Sequence, residues 1–370
     1  MKAVDVLVVG LGPAGAAAAG AAARGGLTVF AIDKKQVVGE PVQCAEFVPR
    51  PMLRYCQFPG VLQQSIETMR TTLPSGAADV SAFPGLMIDR SAFDRALAEV
   101  AQHAGAVLGL HTQLVTLNPG AGEAGVMHAG KMTTVRYRLL VAADGPRSSV
   151  ARLLGLPVLP SVQTRQYTVP LQKPYSATDI WLSDEFAGGY GWMFPKGRVA
   201  HVGVGTDRRY QANLKQPLER LHQQLVAEGR VGQAVLMRTG GDIPVGGLRS
   251  SLIEDAVLFV GDAAGLTHPV TGAGISAAVI SGLRAGEAAV EALAQGRSDA
   301  LVSFEEDVRD QFEDTLLRAV ASRRRLDRSW HTAEAAVDGV MRRGWIAFPE
   351  YFSEHRPFSG PTSVFSGATP

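Results

Sequence analysis

The run Val4-Asp-Val-Leu-Val-Val9 is apolar and rich in β-branched residues, the pattern of a strand buried on both faces. It passes directly into Gly10-Leu-Gly12-Pro13-Ala14-Gly15 and then into an alanine-rich stretch that reads as a helix as far as Arg24. Gly25-Gly26 stops that helix, and Leu27-Thr-Val-Phe-Ala-Ile32 is a second strand ending on Asp33. Strand, glycine turn, helix and strand together predict a βαβ unit. Farther along, Thr164–Leu171 and Arg198–Gly205 alternate polar and apolar positions, which predicts antiparallel strands with one face buried. From Val302 to Arg343 the pattern is helical and charge-rich, with Arg323-Arg-Arg325 on a solvated face or against an anionic lipid surface.

Composition narrows the class. A chain of 370 residues exceeds one ordinary core, and 46% hydrophobic against 19% charged residues describes a well-packed globular protein. A formal net charge of +1 supplies no global field for nucleic acid or an anionic membrane. Cys44 and Cys56 are the only cysteines, so a disulfide framework is not expected and a reducing compartment fits. No metal site is expected. The apolar Val4–Ala23 stretch imitates a signal peptide, but Asp5, the spaced glycines and Pro13 mark it as strand, turn and helix. The expectation is a soluble, cytoplasmic protein.

The N-terminal unit has the parts of a dinucleotide site. Gly10 permits the tight turn, Gly12 lets the backbone approach a pyrophosphate, and Gly15 allows close helix–strand packing. Pro13 and Ala14 open a helix whose free N–H groups and positive dipole end suit phosphate. Asp33, eighteen residues past Gly15, is placed to accept the hydroxyls of an adenosine ribose, with Lys34 beside it. The string Gly120-Ala-Gly122-Glu-Ala-Gly125 fits the same glycine spacing but has no helix pattern behind it, and reads as a hairpin loop.

Three later segments extend the site. Ala256–Val260 is a strand running into Gly261-Asp262, and Gly272-Ala-Gly274-Ile275 opens a small-residue helix. This order is similar to the second FAD fingerprint of glutathione-reductase-type flavoproteins, in which the aspartate bonds a ribityl hydroxyl and the helix start faces the flavin. Leu139–Ala143 leads into Asp144-Gly145, which resembles the Asp-Gly motif of flavin hydroxylases. Met87-Ile-Asp-Arg90 also resembles that superfamily, where the arginine approaches the cofactor, while Asp94 reads equally as a first-turn helix charge. FAD is therefore the expected cofactor, and no separate NAD(P)H domain is visible, so the electron donor stays open between NAD(P)H bound transiently near Asp144 and a reduced flavin or ferredoxin.

The predicted fold is α/β: a Rossmann-like FAD domain with an inserted antiparallel β-sheet substrate domain and a C-terminal helical segment. The FAD domain is expected to be discontinuous, at 1–155 and 240–295, with 51–80 contributing to the substrate side. The sheet domain is expected at 156–240, helices at 296–356 and a polar tail at 357–370.

Two further strings bear on the reaction. Pro41-Val-Gln-Cys44-Ala45-Glu46 follows the Asp33 strand, and Tyr190-Gly-Trp192-Met-Phe194-Pro195 stands in the inserted sheet. Here the chain resembles the geranylgeranyl reductase family of flavoproteins over about residues 3–290. The resemblance implies a reduced flavin acting on an apolar, lipid-like substrate by double-bond reduction. It puts Cys44 near the flavin and has Tyr190 and Trp192 wall an apolar pocket. The alternative is a flavin-dependent monooxygenase, working through a C4a-hydroperoxide on an aromatic small molecule or a protein side chain. Phe47-Val48-Pro49 departs from the family, which usually has a glycine after the acid. A peripheral membrane contact would fit a lipid-like substrate.

Overall fold

The computed structural model describes residues 2–353, so the 357–370 tail and the end of the expected helical segment lie outside the described residues. The predicted βαβ unit forms as β1 (Lys2–Val9), α1 (Pro13–Arg24) and β2 (Val29–Ile32). The chain continues through β3 (Phe47–Pro49), the pair β4 (Leu62–Thr72) and β5 (Ala78–Ile88), and α2 (Arg90–His103). Then come β6 (Val107–Gly109), the hairpin β7 (Thr112–Asn118) and β8 (Glu123–His128), β9 (Lys131–Ala142) and the short α3 (Ser149–Leu153). A block of strands follows: β10 (Ser161–Pro170), β11 (Ala177–Trp181), β12 (Gly191–Lys196) and β13 (Val199–Thr206). After α4 (Lys215–Ala227) lie β14 (Met237–Thr239), β15 (Asp242–Pro244), β16 (Ile253–Glu254) and β17 (Val257–Phe259). The remainder is helical, with α5 (Gly261–Ala264), α6 (Ile275–Leu293), α7 (Ala300–Asp327), α8 (Asp338–Gly344) and α9 (Glu350–Ser353).

These elements build two sheets. The first has the order β16-β17-β9-β1-β2-β6, and the β7–β8 hairpin joins it at β9. β1 pairs in parallel with both β2 and β9, and β17 in parallel with β9. Its central strands are covered on both faces, which is why Val6, Leu7, Val8, Leu140 and Val141 can be consecutive apolar residues. One cover is α1, whose run of buried alanines lies against α6 as well as against the sheet. The Gly120–Gly125 string is the turn of the β7–β8 hairpin and the start of β8.

The second sheet has the order β14-β10-β13-β12-β11-β4-β5-β3, with β15 paired to β10. Its pairs are antiparallel except β4 with β11, which run parallel. Residues 47–49 and 62–88 thus join the strands of 156–240 in one sheet, and β5 lies there although the sequence pattern placed 80–88 with the nucleotide half. The reason is local: β4 carries register shifts at Leu62/Gln64 and Ile66/Thr68, which break the period-two pattern.

The C-terminal part packs back on both layers. α7 lays Phe304, Val308, Leu316 and Ala319 inward along one stripe, and packs on α6. Arg323 corrects the expectation of a solvated or lipid-facing triplet. Its side chain turns inward, donating to Asp207 Oδ2 at 3.2 Å and to the Pro269 carbonyl at 3.4 Å. Arg324 is the exposed member.

Candidate active site between the two sheets

The glycine turn leaves β1 at its C-terminal end. Gly10 has φ +100°, and a Cβ there would lie 2.3 Å from the Ala143 carbonyl oxygen. Gly15 is just as confined, with its Cβ position 1.8 Å from the Gly10 carbonyl oxygen. Gly12 is the opposite case. It sits at the N-cap of α1, and a Cβ there would meet nothing within 4 Å, so its backbone faces open space. Pro13 at the first turn of α1 removes an N–H that has no intrahelical partner in any case, and Ala14 follows, buried. Asp33 accepts the Leu11 N–H at 2.8 Å and the Lys35 N–H at 2.9 Å, which fixes its carboxylate beside the turn, while Lys34 is exposed.

Asp144 lies at the end of β9, next to β1. One carboxylate oxygen accepts the N–H groups of Ser149 and Val150 at the start of α3; the other, Oδ1, is buried and has no partner among the described residues. Burial raises the Asp144 pKa, against the lowering effect of those hydrogen bonds. A buried acceptor without a donor calls for one. Gly261 follows β17, and Asp262 accepts the Thr267 hydroxyl at 2.8 Å. A Cβ on Gly274 would lie 3.2 Å from Asp262 Oδ1, so this carboxylate stands at the start of α6, where Ile275 begins the helix. Gly272, with φ +71°, makes the turn before it. Burial raises the Asp262 pKa, and Arg90 counters it. The open face at Gly12, the free oxygen of Asp144 and the helix starts at Pro13 and Ile275 fit a dinucleotide carrying hydroxyl donors and phosphates.

Arg90 opens α2 and reaches the same junction. Its Nε and Nη2 bond both oxygens of Asp94 at 2.8 and 3.0 Å, so Asp94 is a buried counter-ion and not a solvated helix charge. Cys44 faces that guanidinium. Burial pushes the thiol up from its ordinary value, and Arg90 works in the other direction. Cys56 is buried in the first-sheet core.

From the second sheet, Tyr190 donates to the Thr271 carbonyl at 2.5 Å, and its ring meets Trp345 edge-on at 4.9 Å. A small, partly open cavity of about 30 Å³ is lined by Tyr190 with Leu182, Val270, Leu326, Met341 and Trp345 among others. Trp192 is placed differently from the expectation of a pocket wall. It is 5% exposed, does not line that cavity, and donates from Nε1 to Gln166 Oε1 at 3.1 Å. Gln166 in turn donates to the Cys44 carbonyl at 3.1 Å. Trp192 therefore braces the Cys44 loop from within the core.

Three residues have a place here that sequence reasoning did not find: Glu46 as an ion-pair centre, Lys196 and His201. Glu46 accepts from Lys196 Nζ at 2.7 Å and bonds His201 Nε2 at 2.5 Å. The available signal was His201 itself, a lone polar ring inside the apolar strand Val199–Thr206.

A parallel sheet with a glycine turn, a second carboxylate loop at a helix start, and an antiparallel sheet laid over that junction define the class of FAD-dependent oxidoreductases. The FAD binding domain family matches residues 3–319. Digeranylgeranylglycerophospholipid reductase 1 of Methanococcoides burtonii is 35% identical over 315 residues, covering 79% of this chain and 75% of its own. The Thermoplasma volcanium digeranylgeranylglycerophospholipid reductase is 30% identical and covers 93% of each chain. A geranylgeranyl bacteriochlorophyll reductase-like crystal structure from Thermoplasma acidophilum superposes with a TM-score of 0.84 at 26% identity, over 93% of this chain and 92% of that one. The chain belongs to the geranylgeranyl reductase family of FAD-dependent oxidoreductases.

Proposed function

We propose that this protein saturates isolated double bonds of an isoprenoid, lipid-like substrate. One observation carries the proposal: the apolar cavity shares Val270 with the loop between Asp262 and Gly274, and shares Tyr190 with the Cys44 environment. An apolar chain lying in that cavity would meet the cofactor loop and the thiol together. Relatives named as digeranylgeranylglycerophospholipid reductases point to the same substrate class.

FAD would be held by Gly10, Gly12, Pro13, Ala14, Gly15, Asp33 and Lys34 at the adenosine and pyrophosphate end. Arg90, Asp144, Gly261, Asp262, Gly272, Gly274 and Ile275 would hold the rest. Bound there and reduced, FAD would supply the hydride for one alkene carbon. The other carbon needs a proton, and Cys44 is the group to give it, because burial keeps it a thiol. The thiolate left behind is stabilised by the Arg90 guanidinium and by the Glu46 N–H, which donates to Sγ at 3.2 Å. Tyr190 and Trp345 keep water from the cavity wall. Transiently bound NAD(P)H would recharge the flavin, in the cytoplasm. A peripheral membrane contact through the exposed Leu317, Val337 and Phe352 would let the substrate enter.

The test is anaerobic. FAD-loaded protein is reduced chemically and mixed with geranylgeranyl lipids, and the products are weighed. Gain of H₂ per double bond is the expected result. Unchanged lipids, with oxygen-dependent hydroxylation of an aromatic compound instead, would overturn the proposal.

A further inference from the structure

Glu46 has an unusual backbone and an unusual environment. Its φ of +66° is a left-handed conformation that an L residue keeps only where its surroundings hold it. It is also 2% exposed, so its carboxylate depends on protein donors. Those donors come from separate elements: the Arg90 N–H at the start of α2 at 2.7 Å, Lys196 at the end of β12 at 2.7 Å, and His201 on β13 at 2.5 Å. Meanwhile the Glu46 N–H reaches the Cys44 sulfur. The residue thus joins the second sheet, the first helix turn on the cofactor side, and the thiol.

Resting on the proposal that Cys44 gives the proton, we propose that Glu46 is the positioning residue of this reaction. Clamped to the sheet by Lys196 and His201 and to α2 by the Arg90 N–H, it fixes the Cys44 sulfur against the Arg90 guanidinium. Without the clamp, the loop between Asp33 and β3 keeps near the thiol the bonds of Gln166 to the Cys44 carbonyl, of Gln43 to the Gly240 carbonyl and of the Ile88 N–H to the Glu46 carbonyl, none of which holds the Glu46 side chain. Displacement of a reacting group by about 1 Å is enough to lose on the order of 10² in rate.

The groups that govern the thiol can be named from each side. Arg90 faces it from α2, with Asp94 behind. Tyr190 lies toward it from the loop before β12. Glu46 faces it from the sheet side, backed by Lys196 and His201, and Lys196 also stands 3.6 Å from Asp89. The Glu46 charge opposes thiolate formation, and the Arg90 charge favours it.

The experiment follows alkylation of Cys44 by iodoacetamide against pH in the FAD-loaded protein, resolved by peptide mass, with buried Cys56 as the internal measure of folding. The variants are Glu46→Gln, Lys196→Met and His201→Gln. At about pH 8, Glu46→Gln should speed Cys44 alkylation roughly tenfold and lower its pH midpoint, since thiolate fraction and access both rise. The pH profile of substrate-dependent flavin oxidation should move with it, with kcat falling and KM little changed. If Glu46→Gln exposes Cys56, the other two variants decide, because each leaves the carboxylate and removes one arm; both should speed alkylation severalfold at alkaline pH, where the thiol is ionised in either case and access alone governs the rate. Unchanged Cys44 rates and midpoints in folded variants would overturn the proposal. If the thiol responds as stated but no prenyl double bond is ever saturated, the clamp stands and the assigned reaction falls.

Discussion

The Tyr190 hydroxyl donates to the Thr271 carbonyl at 2.5 Å, and this bond ties the second sheet to the glycine-rich loop that follows Asp262. The same ring lines the apolar cavity and lies edge-on to Trp345. Burial raises the phenol pKa above its ordinary value, with Cys44 adding to the effect, so Tyr190 stays a donor across the working range. One side chain therefore sets the distance between cavity wall and cofactor loop.

Tyr190→Phe keeps the ring and removes that bond. It should lower stability by about 1 kcal/mol, the usual effect of losing a hydrogen bond to a half-buried acceptor. FAD content should hold, and KM for a prenyl lipid should rise severalfold as the loop loosens. Tyr190→Ala should lose about 3–5 kcal/mol, because the aromatic volume goes as well. Urea denaturation and steady-state kinetics read both. Equal stability of Tyr190→Phe and the parent would mean the bond contributes nothing.

The glycine turn offers a separation of folding from cofactor binding. A Cβ at Gly12 touches no atom of the described residues within 4 Å, whereas one at Gly15 would lie 1.8 Å from the Gly10 carbonyl oxygen. Gly12→Ala should therefore leave stability without FAD within about 0.5 kcal/mol, as for substitutions that touch nothing, and weaken FAD binding at least roughly tenfold. Gly15→Ala should fail at folding. Flavin titration alongside thermal denaturation distinguishes the two. Retention of full FAD affinity in Gly12→Ala would show that the cofactor does not approach this backbone.

Much of this arrangement was legible in the chain, and the parts that were not share a cause. Val4–Asp33 announces itself because strand, turn and helix are contiguous, and Gly261-Asp262 because a local string encodes a local shape. The inward turn of Arg323 and the Glu46 clamp are tertiary, whereas the Arg90–Asp94 pair is a local i,i+4 contact of which only the burial is set by the fold. Glu46 meets Lys196 and His201 about 150 residues later in the chain. The Cys44-Ala45-Glu46 string marks Glu46 only by resemblance and does not reveal its partners, and its positive φ is imposed by the fold on a residue with no special preference for it. Trp192 differs for a related reason. Alternation along β12 puts it on the face of Tyr190, whose ring lies 5.7 Å away, but does not reveal the bond to Gln166 that holds it back from the cavity.

Cys44→Ala tests the proposed proton donor apart from the residues proposed to hold the flavin. The cofactor residues are untouched, so FAD content and reduction of the flavin by NAD(P)H should stay at parent levels. Prenyl saturation should fall by about 10²–10⁴, the usual share of a general acid, and the solvent deuterium effect on substrate-dependent flavin oxidation should disappear. Stopped-flow absorbance in H₂O and D₂O measures this directly. Parent-level turnover would remove Cys44 from the reaction.

His268 makes the cofactor loop sensitive to mild acid. Its Nδ1 accepts the N–H groups of Thr271 at 3.2 Å and Val270 at 3.4 Å, so that nitrogen must be unprotonated for the turn to hold. Burial lowers its pKa from 6.5 to about 4. Between those values the unfolded chain binds the proton and the folded protein does not. Its stabilising contribution is thus complete above about pH 6.5, is lost as the pH falls toward about 4, and changes no further below that. A shift of this size corresponds to about 3 kcal/mol over the whole window. The depressed Glu46 pKa acts in a separate window, since its stability is present above 4.5 and is lost only as the pH falls through its lower folded value. His268→Asn keeps an acceptor for the same two N–H groups and has no titrating proton. Urea denaturation of both FAD-loaded proteins at steps from about pH 7 to 5 should show the parent losing stability faster than His268→Asn. Parallel losses would place the acid sensitivity elsewhere in the molecule.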